Sequence, residues 1–344
     1  MYETMVQNTK TLPVLERRVG VVAEGLGKRF GEHWAVRNLD LEVSAGSVLG
    51  LLGHNGAGKT TAIRMLTTLS VPTEGRAAVA GFDIASQSAE VRASIGVAAQ
   101  AATVDDLLTA RANLVMVGRL YGLRKGDAAA RAEHLLDLVD LADAPGLTKT
   151  FSGGMRRRLD LAASIVGAPS VLFLDEPTTG LDPLSRMQLW QVVRNLADEG
   201  TTIVLTTQYL EEADQLADEI VVLDHGSVVA QGTPAQLKAR IGSELVAVTV
   251  ASEADLQRID GAVRRLASAP VTLTPEVLQA AIPVSSDVRL MDVVRALDAD
   301  GVEVLEIERR GASLDDVFLS VTGSRPTPTA TEGDDDRDQE EAVA

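Results

Sequence analysis

Eight consecutive residues, Gly53, His54, Asn55, Gly56, Ala57, Gly58, Lys59 and Thr60, combine three glycines with a lysine and a hydroxyl. Glycines let successive backbone N–H groups turn inward and form a cradle for an anion. A helix starting there, with Thr61 in its first turn, points its positive end at the same anion. The pattern is that of a P-loop. It sets Lys59 to reach the β- and γ-phosphates of a nucleotide and Thr60 to offer its hydroxyl to Mg²⁺. The plain alternative is a glycine-rich turn. The apolar run 47–52 ahead of it and the helical spacing of Ile63, Met65 and Leu66 behind it are the context the motif demands.

A second set follows in Val171-Leu172-Phe173-Leu174-Asp175-Glu176. Four apolar residues read as a buried strand that delivers two carboxylates at its C-terminal end, where ligands of open α/β sheets collect. Asp175 suits Mg²⁺, through water. Glu176 suits the proton or the orientation of an attacking water. Between these two sets lies Phe151-Ser152-Gly153-Gly154-Met155 at a helix start. Ser152 can cap that helix, and the free N–H groups of Gly153 and Gly154 can meet a second anion. Alone, each of the last two patterns is most simply a strand end or a helix cap; their order behind a P-loop makes them informative.

With these three motifs in sequence, residues 21–232 resemble the ATP-binding cassette of ABC transporters. The resemblance implies further roles. Phe30 matches the aromatic that stacks on adenine, with a core side chain as the alternative. Gln100 matches the glutamine that contacts Mg²⁺ and water in the segment facing the membrane partner. Asp182 matches a loop that signals across a dimer, and it can also cap the helix that starts at Pro183. Gln208 stands where most cassettes carry histidine. Its amide can donate to the γ-phosphate but cannot carry a proton, which implies slower or less pH-sensitive turnover. Met155 and His54 depart from the usual glutamine and proline.

Gln208, the run from Phe151 to Ala162 and the late segment 313–319 together resemble the daunorubicin-resistance branch of drug-efflux ATPases, extending the likeness to about residue 323. That branch implies ATP and Mg²⁺ as cofactors. It also implies a separate multispanning membrane permease, a head-to-tail homodimer closed by nucleotide, and antibiotic export, with lipid or glycan export as the alternative cargo. It gives 313–319 a part in dimerisation or assembly. The bland reading is a closing helix that turns Leu314, Val317 and Phe318 inward.

The elements that must position these residues are strands alternating with helices, an α/β fold of the P-loop NTPase kind. Strands are expected at 47–52, 170–174, 202–206 and 219–223, and helices over 60–69, 105–143 and 154–166. The organisation expected is a leader (1–19), an ATP-binding domain (20–241, helical portion about 101–167), a small α+β domain (242–322) and a disordered acidic tail (323–344). In the small domain the order strand, helix, strand, strand, helix, strand is ferredoxin-like. Arg156, Arg157 and Arg158 read as a solvated helix face.

Composition narrows the alternatives. The chain has 344 residues and 45% hydrophobic content, enough for a substantial core. No apolar window reaches a membrane span and no signal peptide is visible, so a cytoplasmic protein reaching the membrane only peripherally through its partner is expected. There is no cysteine. The four histidines, His33, His54, His134 and His225, stand at no metal-ligand spacing, so no histidine-built metal site is expected. The net charge of −17 argues against nucleic acid as a partner. A soluble cassette protein acting on ribosomes or DNA would usually hold two cassettes or a long coiled coil, and neither is present. A switch that barely hydrolyses is supported by Gln208 alone.

Overall fold

The computed structural model describes residues 19–99, 104–241 and 244–322. Two long strands open it, β1 (Val19–Phe30) and β2 (His33–Ser44), paired as a hairpin. Strand β3 (Val48–Leu52) is buried at all five positions, as a central parallel strand must be. It leads through the glycine-rich loop into α1 (Lys59–Leu66). Strands β4 (Glu74–Val79) and β5 (Phe82–Asp83) extend the hairpin into an antiparallel sheet of order β2-β1-β4-β5. Helix α2 (Ser88–Ser94) and strand β6 (Ile95–Ala98) follow.

The stretch expected to be mostly helical holds two helices, α3 (Ala110–Leu120) and α4 (Lys125–Leu138). Thr109 caps the first, accepting from the Ala112 N–H. Gly122, at φ 84°, takes a left-handed conformation between the two. Helix α5 (Gly153–Ser164) packs against both. Then come β7 (Val171–Asp175), α6 (Pro183–Asp198), β8 (Thr202–Thr207), α7 (Leu210–Leu216), β9 (Glu219–Asp224) and β10 (Ser227–Gly232). They complete a six-stranded sheet of order β10-β9-β3-β8-β7-β6, parallel except for the β9–β10 hairpin. All four expected parallel strands lie in this sheet, and their C-terminal ends face one edge, where the P-loop also begins.

Beyond α8 (Pro234–Ile241) the chain forms β11 (Glu244–Val250), α9 (Glu253–Val263), β12 (Thr272–Thr274), β13 (Gln279–Val284), α10 (Leu290–Ala299) and β14 (Val304–Gly311). The sheet order β12-β13-β11-β14, antiparallel throughout, is the ferredoxin-like arrangement. Val246, Val248 and Val250 alternate onto the face covered by α9 and α10. The other face meets the rest of the molecule. Helix α11 (Leu314–Thr322) returns across it, and Leu314, Val317 and Phe318 join Leu52, Leu210, Ala213, Ile220, Leu237 and Leu245 in one buried cluster. The closing-helix reading of 313–319 is therefore what the packing displays. Fully burying a side chain such as Phe318 stabilises the fold by about 1.5–3 kcal/mol. The leader, Gln100 and the acidic tail lie outside the described residues, apart from Val19.

Candidate active site

Backbone geometry builds the P-loop. At Gly58, with φ 107°, a Cβ would sit 2.3 Å from the Ala35 carbonyl oxygen. At Gly53 a Cβ would sit 2.5 Å from the Leu223 carbonyl oxygen. No side chain fits at either position without moving backbone. Lys59 is buried at the start of α1, and its Nζ donates to the carbonyls of Gly53 (2.8 Å) and His54 (3.2 Å). It also lies 3.3 Å from Glu176 Oε1. Burial pulls this ammonium below its ordinary pKa; the charge and hydrogen bond of Glu176, and then Asp175, oppose that pull. The pocket here is lined by Ala35, Asn55, Gly56, Gly58, Lys59, Thr60, Thr61 and Glu176. Ala57 is buried behind it, and its carbonyl accepts from the Gly226 N–H. His54 is half-buried at the rim and turned to Asp224.

The carboxylates arrive on β7. Asp175 Oδ1 accepts from Thr206 Oγ1 at 2.6 Å and from Thr60 Oγ1 at 3.3 Å, so two strands and the P-loop helix meet on one oxygen. The Glu176 N–H donates to Thr206, and Thr179 Oγ1 donates to Glu176 Oε2. Glu176 has φ 48° although it precedes Pro177, where extended backbone is the norm. Such a conformation costs on the order of 1–3 kcal/mol and persists only where its surroundings enforce it. Gln208 follows β8 and is 8% exposed, so it is no solvated strand end.

The remaining candidates lie elsewhere. Ser152 caps α5, accepting from the Met155 N–H, and Ser152 and Gly153 are exposed. Gly154 is buried where a Cβ would meet Ser185 Oγ at 2.5 Å. Asp182 caps α6, accepting from the Ser185 N–H and, at 2.6 Å, its hydroxyl. Those bonds hold the Asp182 carboxyl below the usual carboxylate range. None of these four residues lines the P-loop pocket. Phe30 is 56% exposed, with Lys28 Nζ 5.2 Å from its ring centre, so it is not a core side chain.

The ABC transporter family profile matches residues 36–179. The daunorubicin resistance ATP-binding protein DrrA2 of Streptomyces coeruleorubidus is 51% identical over 312 residues, 90% of this chain and 97% of its own length. The chain belongs to the ABC transporter ATP-binding family. The doxorubicin resistance ATP-binding protein DrrA of Mycobacterium tuberculosis is 42% identical, over 91% of this chain and 96% of its own. A solved structure of an ABC transporter ATP-binding subunit superposes with a TM-score of 0.58 at 25% identity, covering 64% of this chain and 92% of that one. This cassette is accordingly a nucleotide-binding ABC ATPase.

Two parts of this cassette escaped the sequence reading. The arginine run is no solvated face. Arg157 Nη2 donates to the carbonyls of Asp175 and Glu176 (2.9 Å each), Nε to Pro177 (2.8 Å), and Nη1 to Ala99 (2.7 Å). Arg158 is buried, donating to the Val139 carbonyl, while Arg156 pairs with Asp106. Successive helical residues point about 100° apart, so three arginines in a row cannot share one face. That signal was present in the sequence. The second part is Glu212 on α7, fully buried, with its Oε1 accepting from the Trp190 indole at 3.1 Å. Burial pushes the Glu212 carboxyl up; the nearby hydroxyls of Thr207 and Thr178, the indole and the Arg186 charge pull the other way.

Proposed function

We propose that this chain is the ATP-hydrolysing motor of an exporter of antibiotics or other hydrophobic drugs. It would sit on the cytoplasmic face of the membrane through a separate multispanning permease subunit. No helix among the described residues is long and apolar enough to cross a membrane. In this reading the translocation path belongs to that partner. The cargo follows from the names that the relatives carry. Residues 20–241 form the motor in this reading, and 242–322 an accessory unit.

One observation carries the mechanism: Lys59, Thr60 and Glu176 line one pocket, with Asp175 bonded to Thr60 behind it, and the Ser152 turn of the same chain does not line that pocket. A second copy, turned head to tail, supplies that turn. Two helix N-termini, α1 of one subunit and α5 of the other, then converge on one polyanion. Lys59 exchanges its loop carbonyls for the terminal phosphates. Glu176 orients the attacking water and accepts its proton, and Gln208 donates to the γ-phosphate. Phe30 stacks on adenine, and Asp182 faces the opposite site.

Thr60 Oγ1 and Asp175 Oδ1 are hard oxygen donors 3.3 Å apart, a pair that suits Mg²⁺, with Gln100 assigned as a further ligand. Held by these residues, Mg²⁺ would supply neutralisation of phosphate charge. Lys59→Ala should weaken ATP binding at least about tenfold in an equilibrium titration, the loss of one strong charge-assisted contact. Glu176→Gln should keep binding, slow phosphate release and trap a nucleotide-bound dimer in size-exclusion chromatography. Release by that variant at the parent rate would remove Glu176 from the chemistry. Absence of a multispanning subunit from the purified assembly would remove the exporter.

A further inference from the structure

We propose that His54, Asp224 and His225 form a binding site for a divalent transition metal of the Zn²⁺ type, clamping the first turn of the P-loop to the turn between β9 and β10. The sequence separates His54 from the other two by about 170 residues, which is why spacing offered no histidine site. The fold brings them together. One ligand atom from each lies within 4.8 Å of the others. His54 Nε2 is 3.0 Å from Asp224 Oδ1, and His225 Nε2 is 3.9 Å from the same oxygen.

The His54 ring is oriented by its other nitrogen. Nδ1 lies 2.6 Å from the Asn55 carbonyl oxygen, which can only accept, so Nδ1 carries a hydrogen. A backbone carbonyl taking one ring N–H is the support that metal-binding imidazoles characteristically have. With Nδ1 so engaged, Nε2 faces a carboxylate oxygen, a contact that a proton on Nε2 or a metal cation between the two atoms can satisfy. Ligands about 2.0–2.1 Å from a tetrahedral Zn²⁺ lie roughly 3.3 Å apart. The His54–Asp224 spacing is already close to that. His225 must close the rest, and its exposed side chain is free to do so.

The backbone beneath is already docked. The Gly226 N–H donates to the Ala57 carbonyl at 3.0 Å, and the Arg37 N–H donates to the Gly226 carbonyl at 2.7 Å. Two imidazoles and one carboxylate select Zn²⁺, Co²⁺ or Ni²⁺ over Mg²⁺, which prefers the oxygen donors of Thr60 and Asp175. Three protein ligands leave a position open to solvent. The His54 carbonyl also accepts from Lys59 Nζ, so the clamp acts on the segment that holds the P-loop lysine.

The test uses the untagged full-length chain, stripped of metal and nucleotide. Zn²⁺ is titrated calorimetrically, and Co²⁺ is followed by its visible absorption. The parent should bind one Zn²⁺ per chain and give tetrahedral Co²⁺ bands. His54→Ala and His225→Asn should each weaken Zn²⁺ at least tenfold and abolish the bands, while His134→Ala changes neither. Asparagine accepts the left-handed turn conformation of His225, so the second variant keeps the hairpin. A smaller loss in either variant, or an equal loss in His134→Ala, overturns the proposal.

Discussion

At Arg157, one guanidinium holds four backbone carbonyls, three of them from Asp175, Glu176 and Pro177. It touches no reacting atom. It fixes the peptide units from which the two carboxylates hang, and its fourth bond ties them to Ala99, just ahead of Gln100. A hydrogen bond from a charged group contributes about 1.5–3 kcal/mol. Arg157→Gln should therefore slow phosphate release at least about tenfold and leave ATP affinity nearly unchanged, read by single-turnover release against equilibrium binding. Equal losses in both would make Arg157 a general stabiliser. Lys59, Asp175 and Glu176 were legible because a glycine pattern and an apolar strand flank them. Arg157 and Glu212 were not, because their partners are distant in sequence and contribute backbone or buried atoms.

Glu212 carries a consequence for pH. Its folded-state pKa is raised by burial, while the unfolded value is ordinary, about 4.3. Between these values the folded chain keeps a proton that the unfolded chain has released. Stability from this group therefore falls as pH rises from about 4 towards the folded pKa. Glu212→Gln removes the titration and keeps the shape. Its urea midpoint, relative to the parent, should climb between pH 5 and pH 8; a constant difference would show that Glu212 titrates normally.

Among elements, α11 decides most. Phe318 is 1% exposed and packs with Leu314 and Val317 against α7 and α8. Phe318→Ala should cost about 3–5 kcal/mol in denaturant unfolding, as large-to-small core changes do. Asp316, buried on the same helix, would have its carboxyl raised by burial. Bonds to Arg310 and Ser313 overcome that and hold it low. The apolar stripe of α11 was legible; where it docks was not, since helical spacing names a face and not its partner. Helix α5 shows the same limit: its cap was readable from Ser152 and the splay of its arginines from helical geometry, but the carbonyls those arginines reach were not.

Across the whole molecule, four strands of the six-stranded sheet and the ferredoxin-like order followed from apolar runs and the order of elements, whereas β6 and β10 did not. The pattern also left out the junction of the two sheets. One buried cluster contains Leu52, which immediately precedes Gly53, together with Leu245 of β11 and Phe318 of α11. The two sheets thus share a core. Deleting residues 314–322 should lower the stability of the nucleotide-binding half as well, visible as a single unfolding transition at lower urea rather than two separate ones.

That shared cluster also sets an order on biosynthesis. The strand that feeds the P-loop emerges well ahead of part of its own hydrophobic covering, which is encoded more than 250 residues later, in α11. A nascent chain carries an unfinished apolar flank until α11 has been made. A truncated product would expose that flank to aggregation before it could meet any membrane partner.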